Sequence, residues 1–409
     1  MLEHANEFAP DRHKPGVYLC GRGILSAQAD KRRSLRRAIS IAQKETKMNL
    51  TANHLRFTLE VETPIELDHH QGSALRGMLF NALRGPKNNP ALGFCNQRHL
   101  TTCVECPLVA VCPVAGLVAT MNPQADRGRD VARPYAIVPP SSGKTRYETG
   151  EQLSFGLTLF GNALDLFPYV VMALRQAGSM GLGKRLPRPE TNGRYHRGRF
   201  AVQSAQAINL LTGEVQDILE PDKPMVQHPD LPVTHAQMIE LSRRLLKPVL
   251  AHAANGHHAV STYQRGVQAG PVEITVQFKT PTRLVNHKQL LKEPHFSPLF
   301  HRLLDRLIGL SQEYGPDRSG GQPEALDKEP LLGLSDQVEL VSHDTRWQEV
   351  WSYSARQQKK TPISGLVGRA TYRASREVWT ELLPYVLWGT VIHVGKNAVK
   401  GDGIIAVSG

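Results

Sequence analysis

From Leu55 the chain alternates apolar and polar residues, Leu-Arg-Phe-Thr-Leu-Glu-Val-Glu, the period of a half-buried strand, and Thr63-Pro64 ends it. The next stretch, Asp68-His69-His70-Gln-Gly72, is polar. Ser73 then stands where it can cap a helix from Ala74 to Arg84, which carries Leu75, Met78, Leu79 and Leu83 along one face. After an insertion rich in Pro, Asn and Gly, strands are predicted at Tyr135–Val138 and Leu153–Phe160. A second helix, about Ala163 to Gln176, leads into Gly178-Ser-Met-Gly-Leu-Gly-Lys-Arg-Leu-Pro-Arg188. Residues 190–270 are mixed and polar. They hold an amphipathic helix, His235 to Leu250, and then His252, His257 and His258 in a loop-like stretch.

The opening pattern returns at Val272. Ile-Thr-Val-Gln-Phe-Lys-Thr-Pro-Thr-Arg-Leu (274–284) lies over Phe-Thr-Leu-Glu-Val-Glu-Thr-Pro-Ile-Glu-Leu (57–67), with Thr58/Thr275, Thr63/Thr280, Pro64/Pro281 and Leu67/Leu284 identical. A helix follows at about Ser297 to Glu313, strands at Val338–Val341 and Leu366–Tyr372, and a helix from Ser375 to Leu387. Leu166-Phe-Pro-Tyr-Val170 answers Leu382-Leu-Pro-Tyr-Val386, and Gly181/Gly183 answer Gly401/Gly403 at almost the same offset. Several matches in one order argue for a duplicated domain. Each half runs strand, helix, strand, strand, helix, Gly-loop, strand, the order of a ferredoxin-like (RRM-like) βαββαβ unit in an α+β protein. The expected layout is a basic extension over 1–47, a first domain over 48–200 with an insertion at about 86–113, a linking segment over 201–270, and a second domain over 271–409.

The last of these segments has a chemistry of its own. An apolar stretch runs into His393, then a loop holds Gly395, Lys396, Lys400, Gly401 and Gly403, then an apolar strand spans Ile404 to Val407. Glycines let backbone N–H groups approach an anion closely, and the lysines supply charge. The formal net charge of +12 over 409 residues agrees with a polyanionic partner. Residues 1–47 include Lys31-Arg-Arg-Ser-Leu-Arg-Arg37, either a mobile extension or a basic arm on nucleic acid. With no apolar run of the roughly 18–20 residues that a membrane span needs and no secretory signal, the expected location is the cytoplasm.

Four of the five cysteines fall in one short run, Cys95-x7-Cys103-x2-Cys106-x5-Cys112. In a cytosolic chain four thiols at this spacing favour a metal over disulfides, and four thiolates suit one structural Zn2+. An iron–sulfur cluster and free thiols are the alternatives. Cys20 lies apart from the group.

Taken together, these features resemble the RAMP superfamily of CRISPR-associated proteins, and within it the endoribonucleases that cut precursor CRISPR RNA inside its repeats. The likeness is carried by Gly72-Ser-Ala-Leu-Arg-Gly-Met-Leu-Phe-Asn-Ala-Leu-Arg84, the cysteine run, Leu159-Phe-Gly-Asn-Ala163, Gly181-Leu-Gly-Lys184, Gly365-Leu-Val-Gly368 and His393-Val-Gly-Lys396 with Gly401-Asp-Gly403. It implies tandem ferredoxin-like domains with a basic cleft for repeat RNA. It also implies cleavage without a catalytic metal: a general base takes the 2′-OH proton, that oxygen attacks the adjacent phosphate, and the ends are a 2′,3′-cyclic phosphate and a 5′-OH. A product could pass to a CRISPR effector complex. Asp402 departs from the resemblance, which more often has an apolar residue there, and a carboxylate beside a phosphate path is unfavourable.

The family's histidine near the first helix maps onto His70 or its neighbour His69, and His393, at the lip of the terminal loop, is the second candidate. Phosphate contacts are expected from Lys396 and Lys400 with the N–H groups around Gly395, Gly401 and Gly403. In the first half they are expected from Lys184, Arg185 and Arg188 beside Gly181 and Gly183, with Arg76 and Arg84 facing the cleft. The alternative is a RAMP subunit that holds guide RNA in an effector complex without cutting it. A DNA-binding regulator lacks a helix-turn-helix, and a metal phosphoesterase lacks the further Asp/His sets that its metals need. A Rossmann loop fails because Gly178-x-x-Gly-x-Gly follows a helix where that motif follows a strand.

Overall fold

The computed structural model describes residues 48–409 apart from 87–88, 90, 101–102, 120–131, 188–194, 222, 224, 248–269, 287–288, 317–325 and 355–358. The basic extension with Cys20, Arg188, and the histidines at 252, 257 and 258 therefore lie outside the described residues. Residues 46–409 form one compact unit.

The first half is built on β1 (Ala52–Val61), which buries Leu55, Phe57, Leu59 and Val61 and turns Arg56 and Glu60 to solvent, as its alternation requires. α1 (Gln71–Arg84) covers the sheet with Leu75, Met78, Leu79 and Leu83. It begins earlier than the pattern predicts: His70 occupies the N-cap position without a side-chain cap bond, and Ser73 lies within the first turn. β2 (Tyr135–Val138) and β3 (Gln152–Phe160) lead through a 3-10 turn into α2 (Phe167–Met180). β4 (Leu182–Pro187) and β5 (Tyr195–Gly198) make a hairpin, and β6 (Phe200–Ile208) and β7 (Val215–Leu219) return to the sheet. The sheet order is β2-β3-β1-β6-β7, all antiparallel. Without β7 this is the ferredoxin-like order. The boundary expected at residue 200 thus cuts at β6, the strand that closes the first sheet beside β1, and the linking segment starts only after Leu219.

α3 (His235–Leu245) opens with a capping box between Thr234 and Gln237. In the second half β8 (Val272–Thr282) is central and α4 (Phe296–Tyr314) covers it. β9 (Glu339–His343) and β10 (Arg346–Gln348) follow, then a hairpin of β11 (Trp351–Ser354) and β12 (Lys359–Pro362), then β13 (Gly365–Ala374). α5 (Arg376–Ile392) and β14 (Ile405–Ser408) close the chain. The order is β9-β13-β8-β14, with β10 also on β13. The apolar stretch running into His393 is the end of α5, since Trp388, Val391 and Ile392 bury on a helical period.

The duplication holds in three dimensions. Thr58 on β1 pairs its hydroxyl with that of Ser154 on β3 at 3.1 Å, and the matched Thr275 on β8 pairs with Thr371 on β13 at 3.0 Å. The glycine register differs from the sequence match. Gly181 closes α2 at φ 80°, and its counterpart closing α5 is His393 at φ 62°, not Gly401. Two residues on, Gly183 packs against the carbonyl of Glu66 and Gly395 against that of Arg283, the same turn after each central strand. Gly-Leu-Gly-Lys184 therefore answers His-Val-Gly-Lys396. Gly401 and Gly403 belong to a loop that the first half replaces with the β4–β5 hairpin. Among the described residues no helix is long and apolar enough to cross a membrane.

Candidate functional site

The two halves meet where the terminal loop, residues 393–404, enters the first half. The loop is tied to the end of β8: Lys396 N–H donates to the Arg283 carbonyl at 3.2 Å, Gly403 N–H to Pro281 at 3.1 Å, and Ile404 N–H to Thr280 Oγ1 at 2.9 Å. Its tight path uses Asn397, Gly401 and Gly403, at φ 67°, 82° and 74°. Lys400 and Gly401 are pushed against the first half, so closely that a Cβ on Gly72 would fall on the Lys400 carbonyl, and one on Gly401 would meet Pro139. Only glycine at both positions allows this contact.

That docking brings His70 to Asp402, residues at opposite ends of the chain. His70 Nε2 lies 2.7 Å from Asp402 Oδ1, and Nδ1 lies 2.9 Å from Ser73 Oγ. Ser73 Oγ is 3.0 Å from Ser352 Oγ on β11, and Lys400 Nζ reaches Ser352 at 3.5 Å. The Asp402 side chain is 1% exposed and that of His70 13%. Burial pushes the Asp402 carboxyl above the usual range, and the hydrogen bond from His70 pulls it back. Burial first, and then Arg76, lower the Lys400 ammonium, with Asp402 opposing and Arg133 adding to the shift. Arg76 and Arg133 therefore gather cationic charge around Lys400, two residues from Asp402. Tyr135, fully buried, lies against the same arginines.

The other expected residues are placed differently. His69 is exposed beside His70. His393 is interior, 1% exposed, with its ring near the backbone of Ala398 and Asp402 and its Nδ1 without a hydrogen-bond partner among the described residues. Burial, then Arg306 and His54, lower it to about 3. A neutral ring with no surface cannot meet an RNA strand, so His393 leaves the catalytic set. Its backbone, φ 62° and ψ 160°, is a conformation that glycine favours, held here by a residue whose ring is fully interior. Lys396 and Arg185 are exposed. Lys184 is engaged by Glu66 at 2.9 Å and Asp68 at 3.3 Å, so two carboxylates offset that part of the expected phosphate path. Arg84 lies in the last turn of α1 over the Phe80 ring, near Cys103 and away from the seam.

The cysteine insertion packs on the first half through Phe94, Cys95 and Cys112. All four thiols are half-buried and unpaired by disulfides. Burial, then the neighbouring Cys112, Cys95 and Cys106, raise the Cys103 thiol, so the four face one region. Among the described residues no group of three or more His, Cys, Asp or Glu side chains stands at metal-holding distance. Four thiols are by their chemistry a donor set that suits Zn2+.

Two of these residues were missed or misjudged. Ser352 had no motif to mark it. Asp402 was visible as a departure, but its partner lies 332 residues away in the chain.

Residues 50–231 match the model of a family of N-terminal domains, and residues 276–405 match that of the CRISPR-associated endoribonuclease Cas6. No curated protein sequence matches the chain. Similar solved structures include a partial Cas6-RT-Cas1–Cas2 complex, at 12% identity and a TM-score of 0.48 over 88% of this chain and 46% of that one. A Cas6 product complex gives 15% identity and 0.44 over 87% of this chain and 99% of that one. Thermus thermophilus Cas6 gives 14% and 0.43 over 88% and 98%. The chain spans about half the length of the first of these. Residues 276–405, which include the whole loop that carries Asp402 to His70, are thus the part of the chain that is similar to the CRISPR-associated endoribonuclease Cas6.

Proposed function

We propose that the chain processes precursor CRISPR RNA by cutting it within its repeats. The observation that carries the proposal is His70, half-buried at the seam of the halves, with Lys400 near its partner Asp402 and Arg76 near Lys400. Cleavage of RNA by its own 2′-OH needs a base, cationic charge at the developing phosphorane and a proton for the leaving 5′ oxygen. His70 is the base. Arg76 and Lys400 face the phosphate. Lys400, whose ammonium burial makes a readier proton donor, protonates the departing oxygen. The bond formed is O2′–P and the bond broken is P–O5′, which leaves a 2′,3′-cyclic phosphate and a 5′-OH. Every group in this scheme is a side chain of the protein, so the reaction draws on no catalytic metal.

The test is incubation with the repeat RNA of the protein's own locus in excess EDTA, with both ends mapped. One cut with cyclic phosphate and 5′-OH ends is expected. Tight binding without cutting would instead identify a subunit that holds guide RNA.

The cysteine insertion is proposed to hold one structural Zn2+ through Cys95, Cys103, Cys106 and Cys112. Elemental analysis is expected to find about one zinc per chain. The pair Cys103→Ser and Cys106→Ser should lose it and lower the melting temperature, since a bound metal adds its binding free energy to the fold. Protein purified without chelator and free of zinc would sink the assignment.

A further inference from the structure

His70 has two ring nitrogens, and a base can use only the one that carries no proton. Asp402 Oδ1, 2.7 Å from Nε2, is a buried carboxylate and can only accept if ionised. Nε2 therefore carries the proton in neutral His70, and Nδ1 is the acceptor. The remaining contacts then have one consistent direction. Ser73 O–H donates to Nδ1, Ser352 O–H donates to Ser73 Oγ, and Lys400 N–H donates to Ser352 Oγ. Ser73 thus presents a hydroxyl to Nδ1 at 2.9 Å, the contact that an RNA 2′-OH needs.

We propose that Asp402 is the positioning residue of His70: its carboxylate holds the Nε2–H tautomer, and Nδ1 takes the 2′-OH proton at the place that Ser73 Oγ occupies in the free protein. The inference rests on His70 being the base. In the forward step the 2′ proton moves to Nδ1 as O2′ bonds to phosphorus. The imidazolium so formed faces the Asp402 carboxylate, which stabilises its charge in the transition state more than in the ground state. Gly401 and Gly403 give the loop the turn that brings the carboxylate to His70, which bonds to Oδ1, while Oδ2 has no hydrogen-bond partner among the described residues. The charged group next to the pair is Lys400 on the same loop, which in turn lies near Arg76 on α1 and Arg133 ahead of β2. Catalysis then requires both halves, since the base comes from one and its orienting group from the other.

Asp402→Asn keeps the shape and removes the charge. It is expected to lower the single-turnover rate about 100-fold or more, as loss of such an orienting carboxylate does elsewhere, with RNA affinity within about threefold. Ser73→Ala should keep the rate within about fivefold, because its hydroxyl only fills the place of the substrate. If Asp402→Asn cuts like the parent, or loses binding together with cutting, the positioning role is overturned. If Ser73→Ala falls as far as His70→Ala, the assignment to Nδ1 is overturned. A parent protein that binds repeat RNA and never cuts it defeats the nuclease reading, a result distinct from these.

Discussion

His70→Ala is expected to lower the rate of repeat cleavage by about 10²–10⁴-fold, while affinity for the RNA stays within a few-fold. The size follows from the proposed role: a positioned base contributes that much to a proton transfer, and the variant leaves the proposed phosphate contacts of Arg76 and Lys400 in place. The fold should tolerate the change, because the ring lies on the seam and the first core is built by other residues. Single-turnover rates and filter binding on the same RNA separate the two effects. His69→Ala, with an exposed ring beside the site, should cut within about threefold of the parent. A His70→Ala rate within threefold of the parent would remove the histidine from the reaction. His393→Ala should differ in kind, losing stability before anything else, because its ring fills the interior beneath the terminal loop and its loss leaves a cavity there.

A large loss of stability is expected on mild acidification. His54 on β1 bonds to Thr158 at 2.9 Å; burial, then Arg56, depress it to about 4. His235 on α3 accepts from Trp388 on α5 at 3.1 Å, and burial depresses it to about 4. His393 lies at about 3, lowered by burial and then by Arg306, whose buried guanidinium donates to the Ile392 carbonyl. Each group has a folded value below its ordinary value of 6.5, so the unfolded chain binds more protons between the two. Stability is full above about pH 6.5 and falls as pH drops towards 4. At about 1.4 kcal/mol per unit, His54 alone contributes on the order of 3 kcal/mol. The window lies above the range in which Glu151 and Glu377, both depressed by hydrogen bonds, would act. Urea unfolding at pH 7.5 and 5 should show the loss, and His54→Gln should flatten the slope. Equal stability at the two pH values would contradict it.

Much of the fold was legible from local pattern. The alternation at 55–62 and its return at 274–278 placed both central strands, because the period of a strand is written in adjacent residues. The repeated Thr-Pro and Leu-x-Pro-Tyr-Val segments disclosed the duplication for the same reason. The register of the glycine loops was not legible. Gly181 and Gly401 align in the chain, yet Gly181 caps a helix while Gly401 packs on Pro139 of the other half. Glycine reports that a side chain is unwelcome but not what excludes it. The capping role expected of Ser73 failed similarly, since the carbonyl of Lys400 lies against the start of the helix and the hydroxyl turns to His70.

From the sequence alone came two ferredoxin-like halves, the four-cysteine insertion, a basic terminal loop and His70 as a candidate base. The tertiary structure decided which histidine has a working environment: it buried His393 and brought a carboxylate to His70. Asp402 reversed its meaning, from an intrusion on a phosphate path to the hydrogen-bond partner of His70. Helical and strand periods are local and survive in the order of residues. A hydrogen bond across 332 residues depends on how two finished domains dock, and nothing near either end of it in the chain encodes that distance.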